Sequence, residues 1–199
     1  MNTVNNSNIA SSADAKNSGK SSIRRLMPHL LAALGCLLAL SIVTYGCYLL
    51  MRFRAFSIPS VAMEPTISAG DRLFVDEHYY RHRRILDGDL IVFRHNEFIV
   101  IKRVTALAGE TIEGRDGVLL RNGVALNEPY AQHSSEPLQQ LETFAPRVVP
   151  EGEIFVTGDN RDNSLDSRSD EFGVVHPSDV IGKASFVYWS KKGKAGPRS

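Results

Sequence analysis

Cysteine is nearly missing from this chain: two residues in 199, Cys36 and Cys47, both inside one hydrophobic run. That excludes a disulfide framework for everything after the run, although an oxidising compartment would permit one. Strong charge of either sign is missing too. The formal net charge is +1 at pH 7, which points to neither a nucleic-acid partner nor a strongly acidic one. Helical periodicity is the third absence. Beyond residue 51 no stretch repeats its apolar residues at helical spacing over any length, which argues against a helix bundle. What remains is 43% hydrophobic and 23% charged, a balance that suits one globular domain with an accessory segment.

The accessory segment comes first. Residues 1 to about 22 are rich in Asn, Ser and Ala and poor in large apolar side chains, so they are expected to stay disordered. Residues 30–51 then run without a charge. As a helix they would measure roughly 33 Å at about 1.5 Å per residue, enough to cross a bilayer. No small-x-small site closes the run, so an uncleaved anchor is expected rather than a removed leader. Cys36 and Cys47 are then small apolar side chains of a membrane helix. Lys16, Lys20, Arg24 and Arg25 precede the run and only Arg52 and Arg54 closely follow it, which favours an N-terminus on the cytoplasmic side. The expected division is a basic cytoplasmic tail over 1–29, an anchor over 30–51 and an extracytoplasmic domain over 52–199.

From Asp71 onward the text is β. Residues 72–75 form a short strand before a basic loop at 77–84. Stretches 90–93 and 98–104 read as a hairpin joined through His95, Asn96 and Glu97. Asp116-Gly117 and Asn122-Gly123 are tight-turn pairs separating strands near 111–113, 118–120 and 124–126. Residues 127–147 are polar and Pro-containing without a clear period, so they read as an insertion or flap. Two last strands are expected at 154–157 and 184–189. Lys191, Lys192, Lys194 and Arg198 form a solvated basic end. Short strands with frequent turns predict a mainly β domain, a barrel or a coiled sheet.

Two places carry chemistry by residue type alone. In the 98–104 strand, alternate residues share a face, so Lys102 lies with Phe98, Val100 and Val104. An ammonium desolvated there without an obvious partner loses pKa toward a usable neutral amine. A strand-edge lysine whose stem reaches water is the equal alternative. Arg103 points the other way and is expected to stay wet. Residues 158–168, GDNRDNSLDSR, could by composition be a calcium loop or a cluster of Asx turns, but EF-hand spacing is absent. The prolines at 59 and 65 make 56–67 an extended rigid loop with an exposed-looking Met63.

Together these stretches resemble bacterial type I signal peptidases. FSIPSVAMEPTI at 56–67 is similar to that family's nucleophile box, F-x-I-P-S-x-S-M-x-P-T-L. Residues 101–104, with Gly109-Glu110-Thr111 after them, resemble its V-K-R-V…P-G-D box. GDNRDNSLDSR matches its G-D-N-R-D-N-S-x-D-S-R at every defined position, and Gly182-Lys183-Ala184 with Tyr188-Trp189 resembles its ending. The resemblance covers about 56–189. It implies a membrane-bound serine endopeptidase with a Ser–Lys dyad, removing signal peptides from exported preproteins after small-x-small sites. It implies no metal or cofactor. Carried over residue by residue, Lys102 is the general base and Ser60 supplies an oxyanion hydroxyl. Ser164 orients Lys102, Phe56 and Ile58 wall the substrate pocket, and Asp159, Asp166 and Arg168 are structural. Its implied setting is the bacterial cytoplasmic membrane, with the lipid bilayer as a partner.

Three departures accompany the resemblance. Ala108 stands where the family often has Pro, and the spacing from Arg168 to Gly173 is about two residues longer than usual. The third departure is chemical: Ala62 occupies the position of the nucleophilic Ser. Three readings of Ala62 stay open. It replaces a Ser of an ordinary enzyme, it marks a non-catalytic relative that binds signal peptides or a secretion partner, or Ser60 has become the nucleophile.

Overall fold

The computed structural model describes residues 7–133, 143–193 and 196–197. Met1 and the rest of the first six residues, the middle of the 127–147 stretch, and Lys194 and Arg198 lie outside the described residues. The chain separates into two compact units, Met1–Met51 and Arg52–Ser199.

The first unit is one helix, α1 (Ser7–Arg52), with Pro28 inside it. Within it Leu26–Arg52 is long and apolar enough to cross a membrane, with a mean hydropathy of 2.2. Leu30, Leu34, Leu37 and Leu38 are all exposed, so the helix is apolar without being covered by the rest of the chain. The structure differs from the sequence reading before residue 26, where the backbone is helical from Ser7 rather than disordered. The physical reason is propagation. A helix already nucleated by the apolar segment extends through Ala, Ser and Lys residues at little cost per residue.

The second unit is antiparallel β throughout its named strands. A seven-stranded sheet runs β1 (Phe53–Ser57), β2 (Arg72–Asp76), β10 (Val180–Trp189), β3 (Leu90–His95), β4 (Phe98–Leu107), β9 (Ile154–Thr157), with β11 (Gly196–Pro197) added on β10. A four-stranded sheet runs β7 (Val124–Ala125), β6 (Val118–Arg121), β5 (Thr111–Arg115), β8 (Phe144–Val148). The expected hairpin is β3–β4, with Leu90 opposite Arg103 and His95 opposite Phe98. Asp116 and Gly117 both take positive φ, 50° and 82°, as the tight turn between β5 and β6 requires.

β1 and β8 were not expected. Both are half-exposed edge strands, and β8 carries Pro146, a residue that edges tolerate and central strands do not. Part of the presumed flap is therefore sheet.

Three apolar clusters hold the unit together. One joins β2, β3 and β10 to Ile58, Met63 and Ile67 of the β1–β2 loop. The third joins Ala106 and Phe155 of the large sheet to Ile112 and Leu119 of the small one. Met63, expected to be exposed, is fully buried. Ile67 N–H donates to the Met63 carbonyl at 2.8 Å, closing a turn that points both side chains inward. Burying each contributes about 1.5–3 kcal/mol, so the loop is anchored by its own hydrophobes.

Candidate active site

Two segments line one cleft and a third backs it. The first is the β1–β2 loop. Its base is closed by Ile58 N–H to Asp71 O at 2.9 Å and Gly70 N–H to Ile58 O at 2.7 Å. Asp71 holds it further, accepting from Ser68 N–H at 3.0 Å and from the Ser190 hydroxyl at 2.7 Å. The Glu64–Pro65 bond is cis. Ala62 is buried, whereas Ser60 is exposed.

The second segment is β4. Lys102 faces Ile91 of β3 across the ladder and is 3% exposed. The sequence offered its amine no obvious partner by physics alone; in the structure Nζ donates to Ser164 Oγ at 2.6 Å. Burial is the largest influence on this amine and lowers its pKa. Asp166 and Asp159 raise it in part, Arg168 lowers it again, and the result is about 8.

Arg103 corrects the sequence reading. It is 2% exposed, not wet. Its Nε and one NH2 grip the two oxygens of Asp159, each at 2.8 Å, while another amine donates to Gly88 O at 3.0 Å. A guanidinium tolerates burial when its fork is matched by a carboxylate and its remaining donors are satisfied.

The third segment is the loop 158–168 after β9. Asp166 accepts from Ser164 Oγ at 2.6 Å, Gly158 N–H at 2.9 Å and Arg168 Nε at 2.8 Å. Burial alone would raise the Asp166 carboxyl, but Arg168, Lys102 and the Gly158 N–H together hold it below its ordinary value. Ser164 thus bridges a carboxylate and an amine, and its hydroxyl proton is committed to Asp166. Arg168 also donates to Arg161 O at 2.7 Å, closing the loop on itself. Asp159 and Asp166 are engaged by Arg103 and Arg168. Among the described residues no group of three or more His, Cys, Asp or Glu side chains is placed to hold a metal ion.

Three further residues position the cleft and were not singled out from sequence. Asn160 donates from its backbone to Ala62 O at 3.0 Å and from its side chain to Val61 O at 3.2 Å. Gly158 sits so close that an added Cβ would lie 2.2 Å from Ser164 Oγ and 2.5 Å from Ala62 O. Thr66 donates its hydroxyl to Asp159 at 2.5 Å. The only sequence signal for Gly158 and Asn160 was their place inside GDNRDNS; nothing marked Thr66 as their neighbour.

The cleft itself holds about 340 Å³ and is walled by Phe56, Ile58, Ser60, Ala62, Ile99 and Lys102 among others. Five of those six were named from the sequence. Ser164 supports Lys102 from behind. Asp159, Asp166 and Arg168 are buried in the loop below. The arrangement is a mostly apolar groove with one low-pKa amine at its wall.

Comparisons with known proteins point to one family. A family model described as signal peptidase, peptidase S26, matches residues 29–189. A probable signal peptidase I-1 of Synechocystis is 38% identical over 143 residues, covering 66% of this chain and 69% of that relative. A signal peptidase I of Bacillus licheniformis is 32% identical over 144 residues, covering 69% and 77%. The crystal structure of a signal peptidase I from Enterococcus faecalis is 38% identical, with a TM-score of 0.44, and covers 52% of this chain and 98% of its own. With a family model matched over most of its length, the chain belongs to the signal peptidase family, peptidase S26.

Proposed function

We propose that the cleft is a Ser–Lys peptide-cleavage site for the signal peptides of exported preproteins, complete in this chain except for the hydroxyl at position 62. The observation that carries this is Lys102. A buried amine held by Ser164 at 2.6 Å shares the cleft wall with Ala62 and Ser60. With a serine at 62, Lys102 takes the hydroxyl proton as the oxygen attacks the scissile carbonyl. The oxyanion is held by the residue-62 N–H and the Ser60 hydroxyl, and the new amine leaves with the proton from Lys102. Lys102 then takes a proton from the water that hydrolyses the acyl-enzyme and returns it to the residue-62 oxygen. Phe56 and Ile58 narrow the groove so that Ala-like side chains fit beside the cut. Leu26–Arg52 anchors the domain in the bacterial cytoplasmic membrane, N-terminus inside, which places 52–199 where exported preproteins emerge.

With Ala62 the chain as it stands docks a signal peptide and leaves it whole. The missing hydroxyl is the observation that favours this second reading.

The test is the pH dependence of preprotein cleavage by Ala62→Ser. A general base must be neutral to act, and Lys102 titrates at about 8. The rate is therefore expected to climb about tenfold per pH unit below that value and to level off above it. Initial rates across the neutral and mildly alkaline range measure it. A rate that is flat, or that falls with rising pH, rules out Lys102 as the base.

A further inference from the structure

After β7 the chain crosses from the small sheet to the loop that carries Ser164, and it makes a connected set of contacts there. Gln132 pairs with that loop by its backbone, donating to Asp159 O at 2.7 Å and accepting from Arg161 N–H at 3.0 Å. The Glu128 carboxylate receives two amines of Arg161, at 2.9 and 2.7 Å, and the Tyr130 hydroxyl at 3.0 Å. Both partners are dry: the Arg161 side chain is 2% exposed and that of Glu128 9%. Burial and the adjacent carboxylate push the Tyr130 hydroxyl up, which keeps it a donor. The Tyr130 ring lies 3.8 Å from the Arg103 guanidinium carbon, a cation–π contact.

These contacts lead to the amine. Arg161 Nε holds Gly158 O at 3.0 Å, and Arg161 O receives Arg168 at 2.7 Å. Arg168 grips Asp166, Asp166 receives the Ser164 hydroxyl, and Ser164 receives Lys102. Neither Glu128 nor Tyr130 nor Gln132 lines the cleft.

We infer that residues 128–132 are a strap that fixes the loop 158–168 against β4, with Glu128 and Tyr130 as positioning residues for Lys102. The inference deepens the proposed function and rests on Lys102 as its base. Its consequence has a definite sign. The charged groups facing Lys102 are Asp166, Arg168 and Asp159, all on the strapped loop, and burial is the largest cause of its low pKa. Slackening the strap admits water to the amine, undoes part of the desolvation and raises the pKa from about 8 toward its ordinary value. A strap that served stability alone would lower the melting temperature and leave the titration in place.

The experiment is an NMR titration of Lys102 in the full chain with Ala62, lysine-labelled and held in detergent micelles. Its signal is identified by its loss in Lys102→Met. In Glu128→Ala and in Tyr130→Leu the midpoint is expected about one pH unit higher, tenfold less neutral amine at neutral pH. Glu128→Gln keeps the acceptor and the shape, so its midpoint is expected to fall between; it carries the test if the truncations do not fold. An unmoved midpoint in a folded variant overturns the strap, whatever the melting temperature does. Because the titration needs no turnover, it judges the strap even if Ala62→Ser proves inactive. In an active Ala62→Ser background, Glu128→Ala should lower kcat about tenfold at neutral pH and keep KM within about twofold. A raised KM with unchanged kcat also overturns it.

Discussion

Ala62→Ser is expected to give the chain preprotein cleavage, raising kcat/KM by on the order of 10⁴-fold or more. The size follows from what is already in place. Residues that act as a catalytic unit are not additive, so restoring the one missing member recovers nearly the whole effect. The Ala62 carbonyl is fixed by Asn160 N–H at 3.0 Å, and Gly158 leaves room beside it that no other residue type would leave. Residue 62 therefore presents its Cβ in a settled direction. One added oxygen enters a cleft already open and already lined by Lys102, so no repacking is required. KM should change little, because the groove walls are untouched. The assay is cleavage of one preprotein at an Ala-x-Ala site, parent beside variant, in detergent. A folded Ala62→Ser chain that cuts no faster than the parent sinks the enzymatic reading. Ser60→Ala in the parent separates the remaining option: residual cleavage that survives the substitution excludes Ser60 as the nucleophile.

The β architecture and much of the cleft were legible in the sequence because they depend on local pattern. The alternation at 98–104 and the turn pairs Asp116-Gly117 and Asn122-Gly123 mark strands and turns without reference to the rest of the chain. Lys102 and Ser164 stood out through the boxes they occupy. Arg103 was not legible. Alternation tells which side of a strand a residue faces, not what covers that side. In β4 every residue from Ile101 to Ala106 is buried, because the Ser164 loop and Tyr130 cover what would otherwise be the wet face. Asp159, the partner that makes this tolerable, lies 56 residues away in sequence. Met63 failed for the same reason. Prolines at 59 and 65 show that the loop is neither helix nor central strand, but the inward turn onto the β2–β10 core is a tertiary decision. β1 and β8 were missed because short, half-exposed edges carrying Arg54 and Pro146 leave too little alternation to read. The strap was hidden inside a polar stretch whose Glu128 and Tyr130 look, one at a time, like solvated loop residues.

Arg103→Met is expected to destabilise the domain by about 3–5 kcal/mol, the usual consequence of leaving one member of a buried ion pair alone. Asp159 is fully buried and would lose both of the amines that neutralise it, each now at 2.8 Å. Arg115→Met is the control. Its pair with Glu113 has a side chain 62% exposed on the arginine side, so less than about 1 kcal/mol is expected. Thermal unfolding of the full chain in detergent measures both; for a domain of this size the first substitution should lower Tm by roughly 10 °C. An Arg103→Met shift no larger than that of Arg115→Met would show that the Asp159 pair is not a structural anchor. Adding Asp159→Leu to Arg103→Met should restore much of the lost stability, since removing both charges removes the cost of burying either. Activity should not return with it. Thr66 donates to Asp159 at 2.5 Å and so couples the β1–β2 loop to the Ser164 loop through that carboxylate. In an Ala62→Ser background the double variant would therefore melt near the parent temperature yet cleave slowly, because the pair's role in aligning position 62 with Lys102 cannot be supplied by apolar packing.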